Sequence, residues 1–165
     1  MAKKDTFEKT NVMRILDRGK IPYEHHSCAD TDAVSGMEVV TRLGQDPRQV
    51  FKTLVTVGAS KTNYVFVVPV AGELNLKKAA KAVGEKSIEM IKSKELLPLT
   101  GYVHGGCSPI GMKKFFTTTI DITASEFDTI LFSAGKIGVQ VEVSPADLSK
   151  VIKYQFADIA DISEN

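Results

Sequence analysis

The sequence predicts a single α+β domain whose mixed, largely antiparallel sheet is partly barrel-like and flanked by helices. Strand-like and helix-like segments are interspersed along the 165 residues, without the strict alternation that builds a parallel sheet. No repeat, low-complexity tract or flexible linker divides the chain, and its length suits one hydrophobic core. We therefore expect one domain spanning residues 4–165.

The composition excludes several classes of protein. Apolar residues make up 43% of the chain and charged residues 25%, which is typical of a soluble globular protein. No apolar run approaches the ~20 residues of a membrane-spanning helix, and no apolar stretch behind the first lysines suggests a secretory signal. We therefore expect no membrane partner and a cytoplasmic location, with Cys28 and Cys107 as free thiols.

The first predicted elements are a helix and a short strand. The helix is expected to begin at Asp5, with Glu8 three residues later completing a capping box. Gly19 suits the left-handed position that ends a helix, and Pro22 blocks its continuation. Residues 23–28 are then expected to form the strand.

A second helix and a hairpin are predicted next. Ser35 and Glu38 form another capping-box pattern, and Gly44 is expected to end that helix. The runs 50–58 and 64–70 are rich in β-branched and aromatic residues. Because the polar segment between them is short, the two runs are predicted to pair as a hairpin.

The middle of the chain combines helices with a glycine-rich segment. Residues 74–84 have apolar side chains at helical spacing and lysines on the other face, which predicts a third helix. A short helix is expected around residues 88–91. Residues 101–114, the glycine loop, contain four glycines and one proline and are predicted to lack regular structure.

The last part of the chain is predicted to be mainly strand. Residues 115–122, 129–135 and 138–143 are expected to form three strands. Ser144 as an N-cap, with proline directly after it, predicts a final helix. Residues 155–162 are expected to end with a short strand.

The charge distribution leaves two interpretations open. The formal net charge is +1, which argues against strong binding to nucleic acid, and DNA is not an expected partner. Residues 52–114, however, contain ten lysines and four glutamates, whereas residues 115–165 contain three lysines and eight acids. This basic middle either attracts a phosphate backbone weakly, in a salt-dependent way, or is a solvated lysine face.

Clusters of histidine and cysteine do not predict a metal site or a nucleophilic dyad. On a strand, His26 and Cys28 share one face and His25 lies on the other, and no second ligand pair follows at metal spacing. His104 and Cys107 lie three residues apart in the glycine loop, without a third group to orient them. No P-loop or dinucleotide-binding fingerprint is present, so no cofactor is expected.

Two features favour a binding site without fixing its chemistry. Lys52 lies within an apolar run, so it either guards a sheet edge or faces a polar cavity or a phosphate. The glycine loop either brings backbone N–H groups close to an anion or a carbonyl, or simply makes a tight turn.

Five stretches of the chain carry a resemblance to a known family: FKTLV, LNLKKAAKAVG, GYVHGGCSPIGMKK, SAGKIGVQVEV and PADLSKVI, which begin at residues 51, 74, 101, 133 and 145. In these stretches, and in their order, the chain resembles the YbaK/EbsC-type Cys-tRNA(Pro) deacylases. These are free-standing relatives of the editing domain inserted in bacterial prolyl-tRNA synthetases. The resemblance implies the fold of that editing domain.

The resemblance also implies an activity. The family removes cysteine wrongly attached to tRNA(Pro), acting in trans after prolyl-tRNA synthetase has mischarged it. The expected partners are therefore aminoacyl-tRNA and, in a transient ternary complex, prolyl-tRNA synthetase. In this family the substrate's own thiol is thought to attack its ester carbonyl, so that no protein nucleophile, metal or cofactor is needed. Two alternatives remain: a deacylase of Ala- or Ser-tRNA, and a non-catalytic aminoacyl-tRNA or synthetase-binding module.

The resemblance assigns roles to individual residues. The family's essential lysine falls on Lys52, and backbone N–H groups of the glycine loop are candidates to stabilise the oxyanion. The expected substrate-binding residues are Gly36, Thr53, Gly105, Gly106, Ser108, Pro109, Ser133 and Gly135. The chain departs from some members at three positions, where Cys28, Ile137 and Gln140 replace a tyrosine, an arginine and an aspartate.

Overall fold

The computed structural model describes residues 8–28 and 36–162 of the chain. The helices are α1 (Asn11–Arg18), α2 (Gly36–Leu43), α3 (Leu76–Val83), α4 (Ser93–Thr100) and α5 (Pro145–Leu148), with a 3-10 helix over Ile122–Glu126. The strands are β1 (Glu24–Ser27), β2 (Phe51–Gly58), β3 (Asn63–Pro69), β4 (Gly72–Leu74), β5 (Ile88–Met90), β6 (Thr117–Asp121), β7 (Ile130–Lys136), β8 (Val139–Val143), β9 (Gln155–Ala157) and β10 (Ala160–Ile162).

The strands form three sheets in the described part of the chain. The largest has the order β5-β2-β3-β6-β9, the second β1-β8-β7, and the third pairs β10 with β4. Pairing is antiparallel except between β3 and β6 and between β6 and β9. The α+β class and the mixed, largely antiparallel pairing are confirmed. The sheets do not close into a barrel, because among the described strands the backbone of the second sheet is bridged to that of the first only at Val50 and Leu131.

The main hydrophobic core lies between the first two sheets. It joins Val65 and Val67 of β3 to Phe132 and Val141 of the second sheet, and α1 covers it. A smaller core lies on the other face of the large sheet, where α3 packs. The large sheet is therefore covered on both faces.

Helix α1 begins later than the sequence predicted. Its N-cap is Thr10, whose hydroxyl accepts a hydrogen bond from the Met13 N–H at 3.2 Å. Glu8 lies outside the helix, and the expected cap at Asp5 lies outside the described residues. At the other end Gly19 is right-handed, with φ −80°, and Lys20 takes the positive φ of 58° instead. The chain thus turns one residue after the predicted position.

The predicted helix at 88–91 is wrong. Ile88–Met90 forms β5, because this segment pairs with Thr56–Gly58 at the end of β2. Tertiary pairing has overridden the local pattern here. The helix comes directly afterwards as α4, which the sequence analysis missed because Pro98 interrupts its pattern.

The remaining elements are largely as predicted. The hairpin of β2 and β3, helix α3, and strands β6, β7 and β8 are confirmed, and α2 ends at Leu43 with Gly44 at φ 66°. The expected cap of α2 at Ser35 lies outside the described residues. The C-terminal segment forms two short strands rather than one. The buried Asp121 carboxylate accepts the N–H groups of Ile159 and Ala160 at the start of the second.

None of the helices within residues 8–28 and 36–162 combines the length and the apolar character needed to span a bilayer.

Candidate functional site

A break in the edge of β2 creates the candidate site. One edge of β2 is paired with β3 from Phe51 to Val57. On the opposite edge, β5 pairs only with residues 56–58, and the backbone of β7 reaches this edge only at the bridge to Val50, just before β2 begins. The edge around residues 51–54, here called the β2 gap, therefore has no neighbouring strand among the described residues.

The β2 gap opens into a cavity of about 430 Å³, which is within the usual size range of small-molecule sites. Its walls come from α2, β2, α4, the glycine loop, and strands β7 and β8. The lining residues are Gly36, Met37, Val39, Val50, Phe51, Lys52, Thr53, Leu54, Val70, Glu73, Leu96, His104, Gly105, Cys107, Phe132, Ser133, Gly138, Val139 and Gln140. Five of the nine predicted site residues lie here: Gly36, Lys52, Thr53, Gly105 and Ser133.

Lys52 places a cation in the wall of the cavity. Its side chain is 31% exposed, and Nζ lies 3.5 Å from Oε1 of Glu73, whose side chain is 85% exposed. An ion pair this long, with a solvated carboxylate, contributes little stability. Within the part of the chain that the structure describes, no buried carboxylate therefore neutralises the ammonium at the cavity.

Thr53 presents a hydroxyl that lacks a partner among the described residues. Among the described residues, its Oγ1 is buried and has no hydrogen bond. The carbonyls of Gln49 and Val55 accept bonds from Leu131 and Ile91 on the gap side of β2. Because backbone groups alternate along a strand, the N–H and C=O of Thr53 point into the same gap. A buried hydroxyl without a partner costs about 1–3 kcal/mol, and a bound molecule that supplied a hydrogen bond would remove this cost.

The glycine loop divides into a lining part and a supporting part. Gly105 faces the cavity, whereas Gly106, Ser108 and Pro109 do not line it and are buried. The N–H of Gly106 donates to the carbonyl of Val103 at 3.0 Å, so this N–H is occupied in a turn. The Ser108 hydroxyl accepts the N–H of the buried Ile110 at 3.3 Å. Of the two predicted oxyanion donors, only Gly105 remains at the cavity.

Tyr102 holds the loop against β7, which the sequence analysis did not predict. Its hydroxyl donates to the carbonyl of Ile110. Its ring lies where a side chain at Gly135 would be, since a Cβ there would approach Cε1 of Tyr102 to 3.0 Å. Gly135 also has φ 93° and donates its N–H to the Ser133 hydroxyl at 3.0 Å. Gly135 is therefore a packing position behind the cavity. The aromatic residue at the start of the loop was the signal available in the sequence.

Cys107 lines the cavity as a protonated thiol. Burial raises the pKa of Cys107 to about 12. Burial, with a smaller contribution from Cys107, also raises the pKa of the Tyr102 hydroxyl to about 12. A thiolate is therefore disfavoured at neutral pH, and between the described side chains of His104 and Cys107 there is no hydrogen bond.

The residues that depart from the family pattern lie in different surroundings. Gln140 lines the cavity, and its side-chain amide exchanges two hydrogen bonds with Gln45, at 2.6 and 3.0 Å. Cys28 is buried outside the lining. The backbone of Ile137 packs against Gly106, where an added Cβ would be 3.1 Å from the Ile137 nitrogen. Only the change to Gln140 therefore alters the polar surface of the cavity.

One cluster of potential metal ligands occurs in the described chain, on the edge strand β1. The ligand atoms of Glu24, His26 and Glu142 lie within 4.8 Å of one another. His26 Nε2 is 2.9 Å from Glu142 Oε1, and the Thr129 hydroxyl donates to Oε2 at 2.6 Å. The hydrogen bond from Thr129, together with that from His26, lowers the pKa of the Glu142 carboxyl. These contacts explain the cluster as a partly exposed ion pair.

Comparison with known proteins identifies the family. Residues 31–151 match the aminoacyl-tRNA editing domain. A relative from Enterococcus faecalis (strain ATCC 700802 / V583), to which the name Cys-tRNA(Pro)/Cys-tRNA(Cys) deacylase EbsC has been assigned, is 46% identical over 160 residues. The match covers 96% of this chain and 98% of the relative.

Solved structures share the fold at lower sequence identity. The hypothetical protein APE2540 superposes with a TM-score of 0.83 at 19% identity, covering 92% of this chain and all of the other. A structure described as a trans-editing enzyme for prolyl tRNA synthetase has a TM-score of 0.77 at 22% identity, covering 93% and 99% of the two chains. The match to the domain and the identity to the E. faecalis relative extend over most of the sequence. This chain belongs to the aminoacyl-tRNA editing domain family.

Proposed function

We propose that this protein is a trans-editing deacylase that hydrolyses the aminoacyl ester of mischarged Cys-tRNA(Pro). The observation that carries the proposal is the β2 gap, where one cavity is lined both by Lys52 and by Thr53, whose hydroxyl has no partner among the described residues. The 46% identity to a relative named as a Cys-tRNA deacylase supports the choice of substrate.

The chemistry requires little from the protein beyond positioning. The cysteine thiol of the substrate attacks its own ester carbonyl, forming a C–S bond while the C–O bond to the ribose breaks. The thiol proton goes to the departing ribose oxygen, and water then opens the cyclic thiolactone to free cysteine. Holding reacting groups in a productive geometry supplies several kcal/mol of the barrier reduction. The protonated state of Cys107 fits a mechanism in which the attacking sulfur belongs to the substrate.

Each of the nine predicted site residues has a role in this scheme. Lys52 binds the phosphate of the terminal adenosine or the ester region, and Thr53 hydrogen-bonds the aminoacyl group. The N–H of Gly105 stabilises the developing oxyanion. Gly36 and Ser133 shape the walls, whereas Gly106, Ser108, Pro109 and Gly135 support the loop from behind. Alanine, serine and proline lack a thiol, so their esters persist even when they bind.

Deacylation of Cys-, Ala- and Pro-tRNA(Pro) by wild type and Lys52→Ala tests this function. We expect rapid loss of cysteine alone, reduced at least about 100-fold by the substitution. Lys81→Ala, which removes an exposed lysine of α3, is the matched control and should retain full activity. Equal hydrolysis by Lys52→Ala would remove the lysine from the mechanism. Loss of alanine as well as cysteine would replace the thiol mechanism with a water activated by the protein.

The proposal includes a partner and a compartment. With a net charge of only +1, the chain is expected to bind tRNA weakly by itself, and prolyl-tRNA synthetase in a transient ternary complex would supply affinity. Free thiols and this translation partner would place the protein in the cytoplasm. Sedimentation of the protein with synthetase and tRNA together, but with neither alone, is the expected result.

A further inference from the structure

Phe115 is an aromatic side chain held outward at the end of the glycine loop. It is 68% exposed, the highest value among the exposed large apolar residues that the structure describes. The next residue, Phe116, is 8% exposed and packs in the main core. Thr117 then begins β6 in the large sheet. The core anchor and the strand therefore fix the backbone from which the Phe115 ring projects into solvent.

The surroundings of Phe115 are basic. Lys113 and Lys114 precede it and are both exposed. Lys113 is tied to the end of α4, since its N–H donates to the carbonyl of Thr100 at 3.1 Å and its Nζ to that of Pro98 at 3.3 Å. Residues 92–115 contain four lysines and a single acid, Glu95, which caps α4 by accepting the Lys92 N–H at 3.1 Å. The aromatic ring thus lies on a positively charged surface.

Helix α4 and the glycine loop, the structural unit that carries Phe115 and these lysines, also border the cavity. Leu96 of α4 and His104 and Gly105 of the glycine loop line the site. In the large sheet, Lys52 pairs with Val68 of β3. Thr117, at the start of β6, pairs with Tyr64, which is four residues from Val68 in β3. At about 3.3 Å per residue this separation is roughly 13 Å. Phe115 is therefore too far away to contact the group that reacts in the cavity.

We propose, on the basis of the function above, that Phe115 with Lys113 and Lys114 is a stacking platform for an unpaired base of the tRNA acceptor end. The base precedes the terminal adenosine, whose ester occupies the cavity. Stacking on an aromatic ring is worth about 1–3 kcal/mol per base, and neighbouring lysines bind the backbone phosphates. A protein partner would gain as much from the apolar ring but has no general need for a cationic rim, so the charge favours RNA.

Two substrates distinguish a defect at the stacking platform from a defect in the cavity. The first is Cys-tRNA(Pro), and the second is adenosine carrying cysteine on its 3′ oxygen, which has no upstream nucleotide. For Phe115→Ala we expect kcat/KM on the tRNA to fall between about 5-fold and 150-fold, with activity on the adenosine ester unchanged. Phe115→Tyr should restore the tRNA reaction. Ile122→Ala, which removes an apolar side chain 43% exposed outside this unit, is the control.

Binding of an uncharged acceptor-stem minihelix gives a readout that is independent of catalysis. Phe115→Ala should weaken this binding, and Phe115→Tyr should restore it. An unchanged affinity, or an equal loss of activity on both esters, would overturn the platform. A defect that appears only when prolyl-tRNA synthetase is added would overturn it in favour of a protein-docking surface. A wild type that binds the minihelix through Phe115 but hydrolyses neither ester would refute the proposed function and leave the platform standing.

Discussion

The two walls of the cavity differ in how their polar groups are satisfied. On the strand wall, the Thr53 hydroxyl has no partner among the described residues, and Lys52 has only an exposed carboxylate at 3.5 Å. On the loop wall, the polar groups behind the surface are paired, such as Tyr102 with the Ile110 carbonyl and Gly106 with that of Val103. The comparison separates two tasks: the strand wall offers side-chain groups to a ligand, whereas the loop wall, apart from Gly105, keeps the cavity in shape.

The largest expected change is a loss of folding stability at alkaline pH, caused by Cys107 in the glycine loop. The pKa of Cys107 is about 12 in the folded protein, against an ordinary value of 9.0. Because the pKa is raised by folding, the contribution of this thiol to the free energy of unfolding is fully present below pH 9. It is lost as the pH rises towards 12. The loss is roughly 1.4 kcal/mol per pH unit. The free energy of unfolding, measured in urea between pH 9 and 11, should therefore fall more steeply for wild type than for Cys107→Ala. Parallel slopes would show that the thiol does not control this loss.

Gly135→Ala should disrupt the packing of Tyr102 between the glycine loop and β7 at neutral pH. The positive φ of 93° and the approach of Tyr102 to 3.0 Å both oppose a side chain here. We expect a destabilisation of about 2–3 kcal/mol, measured by denaturant unfolding. Gly44→Ala is the control, because Gly44 has a similar φ of 66° but nothing within 4 Å of an added Cβ. Equal losses in both variants would mean that backbone strain alone, without the Tyr102 contact, sets the cost.

Two threonines on β2 sharpen the contrast within the strand wall. Thr53→Val removes a buried hydroxyl that has no partner in the described part of the chain, so we expect stability to rise by about 1 kcal/mol while deacylation falls about 10-fold. Thr56→Val removes a hydroxyl that donates to the Tyr64 carbonyl at 3.0 Å. This control should lose about 1 kcal/mol of stability and keep its activity. Thermal unfolding and Cys-tRNA deacylation measure both quantities. A loss of stability in Thr53→Val would mean that its hydroxyl is already satisfied in the protein.

The smallest effect is expected outside the cavity, at the ion pair of His26 and Glu142. Because the pKa of Glu142 is lowered, its contribution is present above the unfolded value and is lost as the pH falls below about 4.5. Glu142→Gln should lower the free energy of unfolding by less than about 1 kcal/mol at pH 6, and the difference should vanish near pH 3. A difference that persists in acid would point to packing rather than charge.

The sequence was sufficient for features that depend on local pattern. The β-branched and aromatic runs at residues 50–58 and 64–70 placed Lys52 on a strand, and the density of glycine predicted the loop at 101–114. The β2 gap could not be predicted, because it depends on where β5 stops pairing and where β7 crosses Val50. Both limits are set by contacts between residues more than thirty positions apart.

The sequence also gave no indication of which residues of the glycine loop line the cavity and which support it from behind. The resemblance placed Gly105, Gly106, Ser108 and Pro109 together at the substrate, but their spacing gives no sign of which ones face the cavity. Burial and hydrogen bonding separate them, since the Gly106 N–H and the Ser108 hydroxyl are used within the loop. Individual roles within a motif therefore required the tertiary structure.

The uncovered edge of β2 has a consequence for self-association. A bare strand edge is a template on which another chain can add a strand, and proteins commonly protect such edges with lysine. The gap here is only about four residues long, and Lys52 lies within it. A second chain that paired across this edge would have to pass the ammonium, which opposes the approach of another copy of the same strand. Removal of Lys52 would therefore take away the charge that protects this edge. One charge would serve both to keep the molecules apart and to receive the substrate.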